Sequence, residues 1–264
     1  MNHTLHFETD APLTAQSDAD TALLFAASAD ADALAQTPGP LAVVDALRFT
    51  ELFEMQVGDA PTALDFAVEM TSGPDPIAAV QARMQELLSQ GRTALLCGED
   101  RRLTARTRTG NLLALWGKVG RAEIDERALF SQPHTILAGV RAATAELAQS
   151  VPPTASILTA NAMNLRPEAL LDLLSREAAP VYLSIDIDVL SPGAAQWGRS
   201  LEPGGLSWYQ LIQTIDAVFA GPGVLAAEIV GVAGVPPRSA AALYCAQLLL
   251  RMVGLQARRK HHAT

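Results

Sequence analysis

The sequence predicts an α/β fold in which a mainly parallel sheet is covered by helices on both faces. From Thr93 onward, short strand-like runs alternate with helix-like segments, which is the order of βαβ units. The strand-like runs are continuously apolar, which is typical of strands buried on both faces. Apolar residues make up 49% of the 264-residue chain, so we expect a substantial core.

The N-terminal third carries the weaker signals. "TALLFAA" predicts a short buried strand, and the Ala-rich "SADADALAQTPGP" after it predicts a loop. "PLAVVDALRF" predicts a helix that begins at Pro40, and "MQVGDAPTALDFAVEMTSGPDP" predicts an irregular connection. "DPIAAVQARMQELLSQG" predicts a helix between Asp75 and Gly91, because its apolar residues recur every three or four positions. "TALLCG" predicts a buried strand.

Strands and helices then alternate toward the C-terminus. The predicted strands are "NLLALWG", "HTILAGVRA", "TASILTA", "VYLSIDIDVL" and "VLAAEIVGVAG". The predicted helices are "TAELAQSV", "RPEALLDLLSREA", "LSWYQLIQTIDAVFAG" with Ser207 as N-cap, and "SAAALYCAQLLLRMVG", which we expect to end at Gly254. The basic tail, about residues 257–264, has no apolar face, so we expect it to be disordered.

Two aspartates interrupt one of the most apolar runs, "VYLSIDIDVLSPG". The run alternates with period two, so Asp186 and Asp188 are expected on one strand face, roughly 6.5–7 Å apart. Parallel sheets form their sites at the carboxyl ends of strands, and paired carboxylates there indicate a site for a hard cation. The alternative is that one aspartate caps the next turn while the other is solvated.

Composition narrows the classes of partner and compartment. The formal net charge of −9 argues against nucleic acid or an anionic membrane as the main partner. No uninterrupted run of about 18 apolar residues occurs, so we expect no membrane-spanning segment, and the polar N-terminus is unlike a signal peptide. Cys97 and Cys245 lie in apolar surroundings, which predicts buried reduced thiols and a cytoplasmic location.

The stretch "PVYLSIDIDVLSPG…LEPGGLSWYQLIQTI" resembles the third signature of the ureohydrolase superfamily, which includes arginase, agmatinase and formimidoylglutamase. That signature is Ser-x-Asp-x-Asp-x-x-Asp-Pro, then a loop, Pro-Gly-Gly-Leu and a helix. The positions that match it are Ser184, Asp186, Asp188, Pro192, Pro203, Gly204, Gly205 and Leu206. "ALLCGEDR" and "ILAGVRAATAEL" resemble further family segments. The resemblance implies a doubly wound three-layer α/β/α fold of the arginase/deacetylase type, as one domain over residues 1–264.

The resemblance also implies a metal site, but most of its ligands are replaced. In that family six protein ligands hold two manganese ions, which bridge the attacking hydroxide. Only Asp186 and Asp188 carry over as metal ligands. The first histidine ligand falls on Arg101. The Asp, His and Asp of the second family motif fall on Trp116, Lys118 and Gly120.

The family's other site positions are altered as well. The third aspartate of the signature falls on Ser191, and the substrate-binding glutamate falls on Gly231. Glu228 lies three positions before that glycine, and Asp100 adds a carboxylate beside the replaced histidine. The segment between "WGKVG" and "HTILAGVR" is shorter than in the family, so a substrate loop is missing.

Arginine and lysine stay protonated and are poor metal ligands. We therefore hypothesise that Arg101 and Lys118 reach the old metal site and neutralise Asp186 and Asp188, with the arginine holding a carboxylate through two parallel hydrogen bonds. The alternatives are a solvated Arg101 at a helix start and a surface Lys118.

Three further side chains have less specific interpretations. Trp116 is expected to fill the core rather than to serve as a substrate platform. His134 is expected to be structural rather than an acid–base group. Cys97 stands at a strand end where a nucleophile could lie, but the sequence offers it no adjacent histidine, so catalysis by this thiol is disfavoured.

The favoured function is a catalytically silent family member that needs no metal. It would act as a structural or regulatory subunit or bind a small molecule, as a homo-oligomer (trimer or hexamer) or in a mixed oligomer with an active relative. The alternative is a working C–N hydrolase on a guanidino, amidine or amide substrate, with one manganese at Asp186 and Asp188 helped by Asp100 or Glu99. A third possibility is an adaptor that uses another surface.

Overall fold

The computed structural model describes residues 20–26, 39–50, 66–71, 75–99, 101–120, 124, 126–131, 134–193 and 202–263. The chain divides into two compact units, Met1–Glu99 with Val232–Thr264, and Asp100–Gly231. Each unit is described by itself below. The single domain expected from the resemblance stays a prediction.

The elements alternate along the chain much as the sequence predicts. The strands within the described residues are β1 (Thr21–Ala26), β2 (Phe66–Thr71), β3 (Thr93–Cys97), β4 (Asn111–Leu115), β5 (Lys118–Val119), β6 (Thr135–Val140), β7 (Ala142–Ala143), β8 (Ala155–Thr159), β9 (Val181–Asp186) and β10 (Val224–Val230). The helices there are α1 (Gly39–Leu47), α2 (Pro76–Ser89), α3 (Arg102–Thr107), α4 (Ala145–Ser150), α5 (Ala160–Leu165), α6 (Glu168–Leu174), α7 (Trp208–Ala220) and α8 (Ala240–Ala263).

The first unit contains three parallel strands in the order β2–β1–β3. Every residue of β1 and of β3 is buried, which explains their continuously apolar sequences. Helix α2 packs against these strands, and α1 packs against α8. Asp75 caps α2 by accepting a hydrogen bond from the Ala78 amide at 3.0 Å, as the sequence predicts.

Strand β2 corrects the prediction of an irregular connection over this segment. Its ladder with β1 begins at Thr21 opposite Phe66 and runs in parallel register to the end of both strands. Two hydrogen bonds of 2.8 Å from Arg83 of α2 to the Glu69 carboxylate add a link to the neighbouring helix. The strand forms because it pairs with β1, which is distant in sequence, and a local sequence pattern does not reveal such pairing.

Helix α8 corrects the expected stop at Gly254. The helix continues to Ala263, further than the sequence analysis predicted, and Gly254 is buried within it. A glycine inside a helix costs about 1 kcal/mol relative to alanine, which tertiary packing can offset. By length and composition the stretch Ala240–Arg259 could cross a membrane. However, 61% of its most apolar window is buried in the protein, as is typical of a helix in a protein core.

The second unit contains five parallel strands in the order β10–β9–β4–β6–β8. The short strands β5 and β7 form a separate parallel pair. Ser207 caps α7 through a capping box with Gln210, as predicted. The helices α3 and α5, each six residues long, were not predicted. The α/β fold with a mainly parallel sheet is confirmed.

The central strand β9 ends earlier than the period-two pattern predicts. The strand stops at Asp186, and Ile187–Val189 form a 3₁₀ turn. The Asp186 side chain caps that turn by accepting a hydrogen bond from the Asp188 amide at 3.0 Å. The prediction of two aspartates on one strand face is therefore wrong, since only Asp186 belongs to the strand. The turn still leaves both carboxylates at the carboxyl end of β9.

Candidate functional site

The candidate site is a buried cluster of charges at the carboxyl ends of β4 and β9, within the second unit. Arg101 immediately precedes α3, and its side chain is 0% exposed. Its Nε donates a hydrogen bond to Asp186 Oδ2 at 2.9 Å, and its Nη2 lies 3.7 Å from Asp188 Oδ1. Both aspartates are buried as well. One guanidinium therefore faces two carboxylates in the protein interior.

This arrangement answers two of the expectations for Arg101. The contact with the aspartates that the sequence analysis proposed is present, and the alternative of a solvated arginine is wrong. The guanidinium does not make two parallel bonds to one carboxylate. It is divided between Asp186, which its Nε contacts, and Asp188, which its Nη2 faces.

The face of the guanidinium is covered by an aromatic ring. Arg101 Cζ lies 4.1 Å from the centroid of the Trp116 ring, a cation–π distance. Trp116 follows β4 and is fully buried. Its Nε1 donates to Ser184 Oγ at 3.0 Å, and Ser184 Oγ lies 3.2 Å from Thr104 Oγ1. Trp116 thus fills the core, as predicted, and in addition it contacts the site cation.

The second aspartate is held mainly by the backbone around it. Asp188 Oδ1 accepts a hydrogen bond from the Gly117 amide at 3.0 Å, and the Asp188 carbonyl accepts one from Arg141 Nη1. A Cβ at Gly117 would collide with both the Arg141 guanidinium and the Asp188 carbonyl. The lack of a side chain at this position therefore lets the ends of β4 and β9 approach each other.

Lys118 does not join the cluster, so the hypothesis of a second neutralising cation is wrong. Its Nζ binds Glu202 Oε1 at 3.0 Å, and the side chain is 38% exposed. Lys118 belongs to β5, where it pairs with Ala142 of β7. Gly120, the third replaced ligand of the second family motif, has φ +86 and lies against the Thr144 side chain.

Asp186 occupies the space beside Gly231, the position that matches the family's substrate-binding glutamate. Gly231 follows β10 with φ +81, and a Cβ there would collide with Asp186 Oδ1 and lie 3.0 Å from Asp186 Cγ. Ser191 contributes its backbone, because its amide donates to the Leu206 carbonyl at 2.9 Å. Asp100 lies outside the described residues, so nothing here bears on its expected place in the pocket.

Glu228 lies in a separate buried cluster of hydroxyl groups. Its Oε2 accepts a hydrogen bond from Tyr182 at 2.8 Å, and Thr107 Oγ1 lies 3.4 Å away. The hydroxyls of Tyr182 and Thr107 are 2.7 Å apart. Burial raises the pKa of the Glu228 carboxyl, against the opposing effect of nearby hydroxyls that include Thr104 and Ser184. Burial and then the Glu228 charge raise the pKa of Tyr182 well above its ordinary value.

The sequence analysis missed this hydroxyl cluster, although it singled out Glu228. A signal was available in Tyr182, whose hydroxyl interrupts an apolar strand and needs a buried partner. The partner threonines, Thr104 and Thr107, come from α3, a helix that the sequence did not indicate. Their place beside β10 depends on the packing of that helix.

The remaining candidate side chains show no catalytic arrangement. His134 is 63% exposed and its Nδ1 lies 3.6 Å from Glu177 Oε1, as expected of a structural histidine. Cys97 and Cys245 are buried and form no disulfide among the described residues, in agreement with the predicted buried thiols.

The donor set does not fit a pair of manganese ions. No group of three or more His, Cys, Asp or Glu side chains that could hold a metal occurs among the described residues. The two aspartates that match family ligands face the Arg101 guanidinium instead, and a guanidinium is not a ligand. The side chains at Trp116 and Gly120 offer no oxygen ligand for a hard cation.

The fold and the two aspartates at the carboxyl end of β9 define a protein of the ureohydrolase class. A family-level comparison matches residues 108–254, more than half of the chain, to the arginase family. The chain belongs to the arginase family.

Individual relatives are similar over different lengths. The chain is 31% identical over 91 residues to the agmatinase of Pyrococcus horikoshii, a match that covers 34% of this chain and 32% of the agmatinase. The match thus spans about a third of that curated relative. The solved structure of the agmatine ureohydrolase of Thermoplasma volcanium superposes on this chain with a TM-score of 0.79 at 15% identity. The superposition covers 98% of this chain and 97% of the agmatine ureohydrolase.

A third similarity comes from the formimidoylglutamase of Bacillus subtilis, with TM-score 0.72 at 17% identity, covering 93% of this chain and 89% of the other. Structural similarity at 15% and 17% sequence identity shows only that the folds are alike. They confirm the doubly wound α/β fold that the signature implied.

The buried ion contact predicts a specific stability pattern. Arg101→Ala should lower the free energy of unfolding by about 3–5 kcal/mol, because two carboxylates lose their cation inside the protein. Arg101→Ala combined with Asp186→Asn should be more stable than Arg101→Ala alone, because one buried charge is removed. Urea unfolding followed by circular dichroism measures both, and a single variant as stable as the parent would contradict the expectation.

Gly231 allows the contribution of a close contact to be separated from that of backbone strain. Gly231→Ala should destabilise the protein by more than the roughly 1–2 kcal/mol expected for a side chain in left-handed conformation, because the methyl group would displace Asp186. Gly110→Ala is the matched control, since Gly110 has φ +68 and open space around it. Equal losses in urea unfolding would show that Asp186 is not displaced.

Glu228 predicts a pH dependence of stability. Its pKa is raised in the folded protein, so the folded state holds a proton that the unfolded state releases above about pH 4.3. The proton on Glu228 therefore stabilises the folded state fully below that pH, and this contribution is lost as the pH rises through the folded-state pKa of Glu228. Glu228→Gln cannot ionise, so relative to the parent it should be more stable at pH 8 than at pH 5.

The matched control for Glu228 is Glu202→Gln, because Glu202 is 43% exposed. Urea unfolding at several pH values would compare the two variants. A difference between Glu228→Gln and the parent that does not change with pH would contradict a raised pKa.

Proposed function

We propose that this arginase-family protein does not work as a two-manganese hydrolase and acts as a structural or regulatory subunit or as a binder of a small molecule. The single observation that supports this is the buried contact between Arg101 and Asp186. A cation fixed to the chain takes up the negative charge that would otherwise attract metal ions.

Electrostatics argue against a metal beside that guanidinium. A divalent ion at Asp186 and Asp188 would meet a like charge within a few ångströms, in surroundings that screen it poorly. Arg101 would have to leave, and its exit would put a buried cation into competition with the metal for the same carboxylates. The side chains at the replaced positions offer no compensating ligands, because those of Trp116 and Gly120 carry no oxygen for a hard cation.

The position that binds substrate in the family is also changed in a way that disfavours hydrolysis. The position that carries the substrate-binding glutamate in the family is Gly231, and Asp186 lies against it. Arg101 and Trp116 are both fully buried and stack on each other, so they fill the interior where ions and substrate would meet. A guanidino substrate would find neither an activated hydroxide nor that carboxylate.

One competing function has support from the comparisons. A metal-dependent hydrolase of a guanidino, amidine or amide compound is favoured by the similarity to an agmatinase and by the presence of both Asp186 and Asp188. It requires Arg101 to withdraw so that one manganese can bind, with help from Asp100 or Glu99.

Metal analysis and activity distinguish the two functions. The full chain, purified with manganese chloride and then desalted, should hold far less than one equivalent of manganese. It should release no urea from arginine or agmatine and no product from formimidoylglutamate. Arg101→His is the comparison, because it returns a ligand and removes the cation, so its manganese content should rise above that of the parent.

About one equivalent of manganese in the parent, lost in Asp188→Ala, would overturn the proposal in favour of the hydrolase. Hydrolysis of any of the three substrates that depends on manganese would do so as well.

A subunit role adds an expectation about assembly. We propose a homo-oligomer, a trimer or hexamer, or a mixed oligomer with an active arginase-family protein. Light scattering after size-exclusion chromatography, alone and with such a relative, measures this. A chain that stays monomeric in both samples would leave only the role of a small-molecule binder.

A further inference from the structure

We propose that Asp186, Asp188 and Trp116 form a receptor site for a guanidinium group, which Arg101 fills in the native protein and which a free guanidinium compound fills once that side chain is removed. The inference rests on the proposed function, because it takes the site to hold an organic cation where a family hydrolase holds metal ions. It goes further by assigning the chemical class of the ligand.

The contacts of Arg101 use features that only a planar guanidinium has. Its flat face lies over the Trp116 ring at 4.1 Å, while its edge donates to Asp186 at 2.9 Å and faces Asp188 at 3.7 Å. A planar delocalised cation can stack and donate in its plane at the same time. A compact ammonium has no plane to stack, and a metal ion would gain little from the ring.

Each wall of the site is fixed by contacts that do not involve Arg101. The Trp116 indole is oriented by its bond to Ser184 at 3.0 Å. Asp188 Oδ1 is held by the Gly117 amide at 3.0 Å, and Asp186 Oδ1 by the Asp188 amide at 3.0 Å. Removal of the arginine side chain therefore leaves a cavity whose walls keep their positions. Such preorganisation favours a small ligand, which loses little to reordering of the site.

Charge supplies the driving force for ligand entry. Without Arg101, two buried carboxylates lose the cation that faces both of them, which destabilises the folded state. A guanidinium compound that enters the cavity restores the charge balance, and it has no such site on the unfolded chain. Binding must then raise the free energy of unfolding of the variant by RT ln(1 + [L]/Kd), where [L] is the concentration of the free compound.

The test uses the full chain with Arg101→Ala and methylguanidinium chloride up to about 20 mM, well below the molar concentrations at which guanidinium denatures proteins. Thermal unfolding by circular dichroism is the readout. The midpoint should rise with methylguanidinium, and at about ten times the dissociation constant the folding equilibrium constant should increase roughly tenfold. Sodium chloride, methylammonium chloride and manganese chloride, each at matched ionic strength, should not reproduce the rise.

Two further proteins serve as controls. The parent should not respond to methylguanidinium, because Arg101 already occupies the site. Arg101→Ala combined with Asp186→Asn should respond much less than the single variant, because the carboxylate that receives the shortest bond is gone. An equal response of the double variant would show that the compound binds elsewhere, and this would overturn the proposal.

A variant that does not fold unaided still tests the site. Arg101→Ala is then refolded from urea with and without methylguanidinium, and the yield of folded protein should rise several-fold with the ligand. Absence of any effect in both the thermal and the refolding experiment overturns the proposal. A response to manganese equal to or larger than that to methylguanidinium also overturns it, in favour of a metal site.

The outcomes separate this inference from the proposed function. Manganese bound to the parent chain contradicts the proposed function, whatever the variant does. A metal-free parent whose Arg101→Ala variant ignores methylguanidinium contradicts only the guanidinium receptor, because the native site would then be closed by Arg101 without being selective for its chemistry.

Discussion

One guanidinium and two carboxylates share the interior of the second unit, and the rest of the site depends on how that charge is balanced. Two buried aspartates that close to each other need a cation between them. Arg101 meets this need with a bond of 2.9 Å to Asp186. Trp116 covers the face of the Arg101 guanidinium with its ring. The Gly117 amide donates a hydrogen bond to the Asp188 carboxylate. A buried ion pair of this kind contributes little net stability but makes each partner costly to remove alone.

The sequence predicted the fold and the main charges because both have local signatures. Continuous apolar runs identified the buried strands, and the family signature identified Asp186 and Asp188. The resemblance of "ALLCGEDR" to another family segment put Arg101 at the position of the first histidine ligand. The prediction failed where longer-range geometry decides. The strand ends at Asp186 because its side chain caps a 3₁₀ turn, Lys118 is drawn to Glu202 at the surface, and β2 forms only on the template of β1.

Glu228 illustrates a different limit of sequence reasoning. The residue drew attention for its distance from a family position, but its surroundings come from neighbours on two other elements, β9 and α3. Tyr182 of β9 and Thr107 of α3 surround its carboxyl, and Ser184 connects that cluster to Trp116. The hydroxyl cluster and the charge cluster are thus adjacent parts of one polar interior, which an apolar strand pattern conceals.

The close approach of Gly231 to Asp186 has a consequence for how this chain could change over evolutionary time. A glutamate restored at position 231 would collide with the aspartate before it could reach a substrate. Asp186, in turn, is held in place by Arg101 and by the turn that it caps. A side chain at position 231 therefore requires Asp186 to move, and Asp186 can move only if its contacts with Arg101 and with the turn change as well. The identity of residue 231 is in this way coupled to that of Arg101, although the two do not need to touch.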